Sequence, residues 1–226
     1  MFVRVNGERL FFDVEGAGLV PDGAAMRPKP TLLLLHGGPG FDHSIFKPAF
    51  SALADIAQIV YFDHRGNGRS SGGDPERWTL SQWGDDVKGL CDALGIEKPI
   101  VYGVSFGGFV AQAYATRHPE HAAKLILVST AARVDFNEIF AAFERVGGVE
   151  ARRIAETYWR DPTPEGAQSI SRLASRSIAL DPLVIPICSR GQSSRTMSRS
   201  DSTGYTTNMA EWTSEPPLAT SAARCL

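Results

Sequence analysis

Ser105 is the residue whose surroundings point most directly to chemistry. It lies in PIVYGVSFGGFVAQAYATRH, residues 99–118, where a short apolar run ends at Gly103-Val104-Ser105-Phe106-Gly107. Apolar residues resume at helical spacing as Phe109, Val110, Ala113 and Tyr114. The pattern predicts strand, sharp turn and helix, with a serine at the turn. Gly103 and Gly107 suit a turn so tight that strand and helix backbones leave no room for a Cβ. Such a turn forces strained dihedrals on the serine and projects its hydroxyl from the sheet edge, while the first amides of the helix face the space beside it. Those features suit nucleophilic attack on a carbonyl. The plainer reading is a glycine-rich connection in some other doubly wound domain. A dinucleotide loop fits less well, because G-x-G-x-x-G needs its second glycine at position 105.

The elements that position this turn follow from the rest of the chain. Residues 2–5 and 10–14 read as two strands around the Asn6-Gly7 turn. Residues 16–30 read as loop. Residues 31–35 form a continuous apolar strand of the kind buried on both faces, ending in His36-Gly37-Gly38-Pro39-Gly40. A helix is expected next, with Ile45, Phe46, Phe50, Leu53 and Ala54 on one face. Residues 59–62 form another buried strand, ending in DHRGNGRS at 63–70. Residues 80–94 carry Trp83, Val87, Leu90, Cys91 and Leu94 on one helical face, stopped by Gly95. Residues 124–128 read as a further buried strand. Strands alternating with helices argue for a parallel, doubly wound α/β sheet, with the HGGPG, DHRGNGRS and GVSFG turns converging at one edge. From 134 to about 173 the pattern is helical, which suits either a lid over the strand ends or ordinary helices packed on the sheet.

Composition narrows the function classes. Of 226 residues, 43% are hydrophobic and 21% charged, as in ordinary globular proteins. A net charge of −2 favours neither nucleic acid nor an anionic membrane as partner. The three cysteines, Cys91, Cys188 and Cys225, have no metal-ligand spacing, and Cys91 reads as core in a reducing compartment. No signal peptide opens the sequence, and its longest apolar run is too short to span a bilayer, so the expectation is a cytoplasmic protein.

Three motifs in fixed order, HGGPG at 36–40, DHRGNGRS at 63–70 and GVSFGG at 103–108, resemble the proline iminopeptidase branch of the α/β-hydrolase fold. The resemblance covers residues 1 to about 175. It implies that Ser105 is the nucleophile of an acyl-enzyme mechanism. It also implies that Phe106 N–H and an amide from Gly37 or Gly38 form the oxyanion hole, and that His36, Gly40, Asp63, Arg65, Gly103 and Gly107 shape the site. Asp63 and Arg65 are expected to pair and brace their turn. The expected ligand is a small peptide or acyl substrate; no metal or other cofactor is implied. The organisation expected is a hydrolase core over 1–132, a partial helical cap over 133–180, and a non-family tail over 181–226.

The match departs from the family at the acid and base. There the chain order is serine, then acid, then histidine on later strands. The five histidines are His36, His43, His64, His118 and His121, none beyond the cap region. His118 and His121 stand about 20 Å along the helix from Ser105. Asp181 and Asp201 could be proposed as the acid, yet no apolar strand ends at either. The tail, rich in Ser, Thr and Arg, reads as disordered. These features lead to the expectation that the last two strands are missing and that a hydrolase reading frame ends near 175–185. A bare apolar edge at 124–128 and poor solubility would follow.

The leading reading is therefore a serine hydrolase that releases an N-terminal residue, typically proline, impaired for want of a base. Amidase or esterase action on another small acyl substrate stays open, since Glu144, Glu150 and Glu156 of the cap region read equally as solvated charges. A reading of another class is a catalytically dead hydrolase-like remnant or binding module.

Overall fold

The strand at the middle of the sheet is TLLLL, whose four leucines are each 7% exposed or less. Such a strand is stable only with both faces covered. A computed structural model describes residues 1–160 and, beyond them, 166, 169, 170, 172 and 173. The expected disordered tail at 181–226 lies outside the described residues. The chain divides into two compact units between Ala132 and Arg133.

In the first unit, β1 (Phe2–Val5), β2 (Glu8–Glu15), β5 (Thr31–Leu35), β6 (Gln58–Phe62), β7 (Ile100–Val104) and β8 (Lys124–Val128) form one sheet in the order β1-β2-β6-β5-β7-β8. β6, β5, β7 and β8 run parallel, while β2 runs antiparallel to both of its neighbours, β1 and β6. Leu35 pairs with both Phe62 and Gly103, so β5, β6 and β7 end level. That register carries His36, Asp63 and Ser105 to one edge of the sheet.

Period-two alternation sends Leu32, Leu34, Ile59 and Tyr61 to one face, where they pack with Phe46 and Ala57. The other face is covered by α1 (Leu80–Leu94) and α2 (Phe106–Arg117). α1 is capped by Thr79, whose hydroxyl accepts from Gln82 N, and stopped by left-handed Gly95, as its sequence predicts. Where α1 crosses α2, a Cβ on Gly84 would lie 2.9 Å from Tyr114 N.

Three expectations need correction. Residues 16–30 are not all loop: β3 (Leu19–Asp22) and β4 (Ala25–Pro28) form a hairpin. Its residues are mostly exposed, so they lack the apolar alternation that reveals a strand. The single helix expected after HGGPG is two 3₁₀ helices, His43–Phe46 and Ala49–Leu53, because Pro48 between them has no N–H to donate. Its apolar face is nevertheless as read, with Ile45, Phe50, Leu53 and Ala54 against the core. β8 is a strand but not a buried one: Ile126 is 41% and Leu127 42% exposed, and among the described residues only β7 pairs with it.

The second unit contains α3 (Phe136–Arg160), helical except at Gly148, where φ 75° and ψ −177° interrupt the run. Phe136 and Phe140 stack along it at 5.8 Å. Among the described residues no helix is long and apolar enough to cross a membrane.

Candidate active site

β7 delivers Ser105 to the sheet edge with φ 52° and ψ −119°, a conformation that side-chain-bearing residues rarely adopt. The surrounding backbone holds it there. Ser105 N–H donates to Val128 O at 2.9 Å, tying the turn to the end of β8. Gly108 N–H donates to Ser105 O, also at 2.9 Å, which starts α2. A Cβ on Gly103 would collide with Gly107 O, and one on Gly107 with Leu35 O, so both glycines are required by close approach. Ser105 is exposed, and its hydroxyl makes no hydrogen bond among the described residues, not even as a cap for α2. The Ser105 hydroxyl is therefore open to a ligand.

Phe106 is the first residue of α2, and its amide belongs to the turn of N–H groups that an α-helix does not use internally. On the opposite flank, a Cβ built on Gly37 would lie 3.5 Å from Ser105 Cβ. The Gly37–Gly40 turn thus lies against the serine. Gly38 takes φ 134° and Gly40 φ 90°, values that demand glycine. The structure brings Ser105, Phe106, Gly37 and Gly38 together. An oxyanion formed at a carbonyl attacked by Ser105 would meet amide dipoles from two directions.

The 63–70 turn stands behind this group, and here one expectation fails. Asp63 and Arg65 do not pair. Asp63 Oδ1 accepts from the ring Nδ1–H and the main-chain N–H of His43, at 2.7 and 2.9 Å, and Oδ2 accepts from Arg69 N at 2.9 Å. Its carboxylate is already satisfied. Burial pushes the Asp63 pKa up, but the His43 ring and the Arg69 and His43 amides outweigh it and hold the group below its ordinary value. Arg65 instead reaches under α1, where its Nε and Nη2 form a bidentate pair with Asp86 at 2.8 Å each. Both side chains are buried, at 0% and 1% exposure. Each braces the turn as expected, through another partner.

Asn67 was not anticipated. Its Oδ1 accepts from Gly40 N at 2.7 Å and its Nδ2 donates to Arg65 O at 2.9 Å, stapling the two turns together. A polar residue set between Gly66 and Gly68 was the available signal.

All five histidines lie among the described residues, and each has other partners. His36 Nδ1–H donates to Gly37 O at 2.6 Å. His43 serves Asp63, and His64 bonds His36. His118 bonds Asp85 at 3.0 Å, and His121 joins the Tyr114 hydroxyl at 2.5 Å. Burial lowers the pKa of His36, only partly opposed by its bond to Gly37 O; burial and then the neighbouring His36 hold His64 well below its ordinary value. No histidine bonds the Ser105 hydroxyl. Asp181 and Asp201 lie outside the described residues. Glu144 and Glu156 both pair with Arg152 at 2.8 Å, and Glu150 with Arg153 at 2.6 Å, along α3. Among the described residues, no group of three His, Cys, Asp or Glu side chains could hold a metal ion.

Comparison with known proteins agrees with this fold. A family model described as the alpha/beta hydrolase fold matches residues 30–175. A proline iminopeptidase of Pestalotiopsis fici is 41% identical over 133 residues, covering 58% of this chain and 43% of that protein. A putative carbamate hydrolase of Rhizobium rhizogenes is 31% identical over 155 residues, covering 66% of this chain and 59% of the relative. The chain thus spans roughly two-fifths to three-fifths of the length of these curated relatives. Among solved structures, a proline iminopeptidase-related protein of Thermus thermophilus superposes with a TM-score of 0.58 at 26% identity, covering 78% of this chain and 65% of the other. An enol-lactonase of Burkholderia xenovorans shares the fold with a TM-score of 0.59 at 24% identity, over 96% of this chain and 75% of that one.

Proposed function

This chain belongs to the alpha/beta hydrolase family, and from that premise we propose that Ser105 is the nucleophile of a serine hydrolase acting on small peptide or acyl substrates. The observation that carries the reading is the Ser105 backbone, φ 52° and ψ −119°, fixed between two glycines with Gly37 against it. In the reaction Ser105 Oγ attacks the substrate carbonyl carbon and its proton passes to a base. The carbonyl oxygen becomes an oxyanion and accepts from Phe106 N–H and an amide of the Gly37–Gly38 turn. Collapse of the tetrahedral species expels the amine or alcohol, which takes up the proton lost by Ser105, and leaves an acyl-Ser105 ester, which water hydrolyses. Loss of one oxyanion donor costs about 10²–10³ in rate in such sites.

The proline iminopeptidase relatives favour peptides with N-terminal proline, and the putative carbamate hydrolases favour a small amide or ester as the alternative. Within these 226 residues every imidazole is engaged elsewhere, which supports a slow serine. Triad removal in other enzymes leaves only about 10³–10⁴ over water. The same observation supports the second reading, a hydrolase-like binding module.

A fluorophosphonate probe separates them. Labelling of the 226-residue chain that disappears in Ser105→Ala is expected of an activated serine, and hydrolysis of prolyl amides against simple acyl esters then sets the substrate class. No labelling at millimolar probe leaves only the binding module.

A further inference from the structure

His64 is the residue of the 63–70 turn to which the hydrolase reading gives no task. Its ring is fully buried among Phe62, Phe106 and His36, at centroid distances of 4.9, 5.6 and 4.3 Å. Its main-chain N–H donates to His36 Nε2 at 3.1 Å, and its ring Nε2–H donates to His36 O at 3.2 Å. Its Nδ1 is buried and has no hydrogen-bond partner.

This pattern settles both tautomers. His36 Nε2 is an acceptor and bears no proton, so the proton sits on Nδ1 and points at Gly37 O, 2.6 Å away. His64 donates through Nε2, and its Nδ1 is therefore bare. Buried polar atoms are rarely left unbonded, and an apolar residue would fill this space without an orphan nitrogen. What the ring provides lies at its other end.

The Gly37 carbonyl and the Gly38 N–H share one planar peptide and point to opposite sides. A bond that pins Gly37 O therefore also sets the direction of Gly38 N–H. The Gly37–Gly38 step has little stiffness of its own, being two glycines ahead of the ring-fixed Pro39. We propose that His64 is a positioning residue for the oxyanion-binding turn: it clamps His36 at ring and carbonyl, and His36 in turn holds the Gly37–Gly38 peptide beside Ser105. Its ring edge also packs on Phe106, whose amide is the second donor, so one side chain braces both halves. The catalytic consequence rests on Ser105 being the nucleophile, whereas the clamp does not.

The test uses the full chain, its His64→Leu and His64→Gln variants, and two readouts. Imidazole ¹⁵N NMR of the unaltered chain is expected to show His36 as the Nδ1–H tautomer and His64 as Nε2–H. In His64→Leu, amide exchange at Gly38 is expected to rise about tenfold or more, as a local restraint is released. Phosphonylation of Ser105 should fall by about tenfold, less than the loss of a whole donor. In His64→Gln the side-chain amide donates to His36 O and should restore most of both. A His36 ring protonated at Nε2, or His64→Leu with exchange and phosphonylation within about twofold of the parent, overturns the clamp. If the parent takes no probe while the tautomers and Gly38 exchange behave as stated, the clamp stands and the nucleophile reading fails. If His64→Leu does not fold, the parent's tautomers and the glutamine variant decide.

Discussion

The strain at Ser105 makes an unusual prediction: removing the side chain should stabilise the protein. At φ 52° and ψ −119° an L-residue occupies the mirror image of a common extended conformation. For glycine, whose map is symmetric, the mirror position carries no penalty. A side-chain-bearing residue there costs about 1–3 kcal/mol. Ser105→Gly recovers this but adds freedom to the unfolded chain, which offsets about 0.5–1 kcal/mol. Little packing is lost, since Ser105 is exposed and its hydroxyl is unbonded among the described residues. The net gain is about 1 kcal/mol, or roughly 2–4 °C in Tm for a chain of this size. Ser105→Ala is the control. It removes the hydroxyl but keeps the Cβ, hence the strain, and should stay within about 0.5 kcal/mol of the parent. Urea and thermal denaturation of the three proteins measure the order. A glycine variant no more stable than the alanine variant would show that the turn is not strained, and the geometric case for the nucleophile would fall with it.

Acid should destabilise the fold in a window set by two buried histidines. His36 and His64 are held below 6.5 chiefly by burial; Asp63, Asp42 and the Gly37 carbonyl oppose the shift at His36, while His43 adds to it. The unfolded chain therefore binds more protons as pH falls below 6.5, and stability drops until each folded pKa is passed. The slope is up to about 1.4 kcal/mol per pH unit for each group. His121, lowered by partial burial, adds a smaller share. Glu15, Asp13, Asp63 and Asp85, all held below their ordinary values, start to lose their stabilisation as pH falls towards 4.5 and 3.8, so urea midpoints between about pH 5.5 and 6.5 isolate the histidines. A flat profile there would contradict neutral buried rings, and His64→Leu should remove up to half the slope. Separately, Asp86→Ala would leave the fully buried Arg65 with Glu8, 3.6 Å away, as its remaining counter-charge and should cost up to about 3–5 kcal/mol in a urea titration, whereas a joint Arg65→Met, Asp86→Leu change should cost far less.

What the sequence made legible was whatever depends on neighbouring residues alone. Gly103, Ser105 and Gly107 announce a tight turn because the clash that excludes a Cβ is built from the same few residues. Thr79 and Gly95 likewise mark the ends of α1. The Thr31–Leu35 and Lys124–Val128 strands follow from short continuous apolar runs, and Glu8–Glu15 from the Asn6-Gly7 turn before it, but exposure at β8 does not follow, because it depends on what lies beside it. The exposed β3–β4 hairpin escaped for the same reason, having no buried face to print a pattern.

Partner choice was the least legible feature of the site. Two residues of opposite charge, Asp63 and Arg65, stand two positions apart and invite pairing. Yet the carboxylate turns to His43, twenty positions away, and the guanidinium to Asp86, twenty-one away. Sheet register decides this: β6 ends level with β5, so Asp63 meets the residues after HGGPG, while α1 crosses beneath the next two positions. Histidine behaves similarly. A count of imidazoles and their places in the chain narrows the candidates for a base, but a ring becomes a base only if its acceptor nitrogen faces the hydroxyl. In this site His36 gives its acceptor nitrogen to a backbone amide and His64 keeps its own buried. His36 and His64, carried to the sheet edge by β5 and β6, therefore offer the Ser105 hydroxyl no acceptor nitrogen, which a count of imidazoles could not have told.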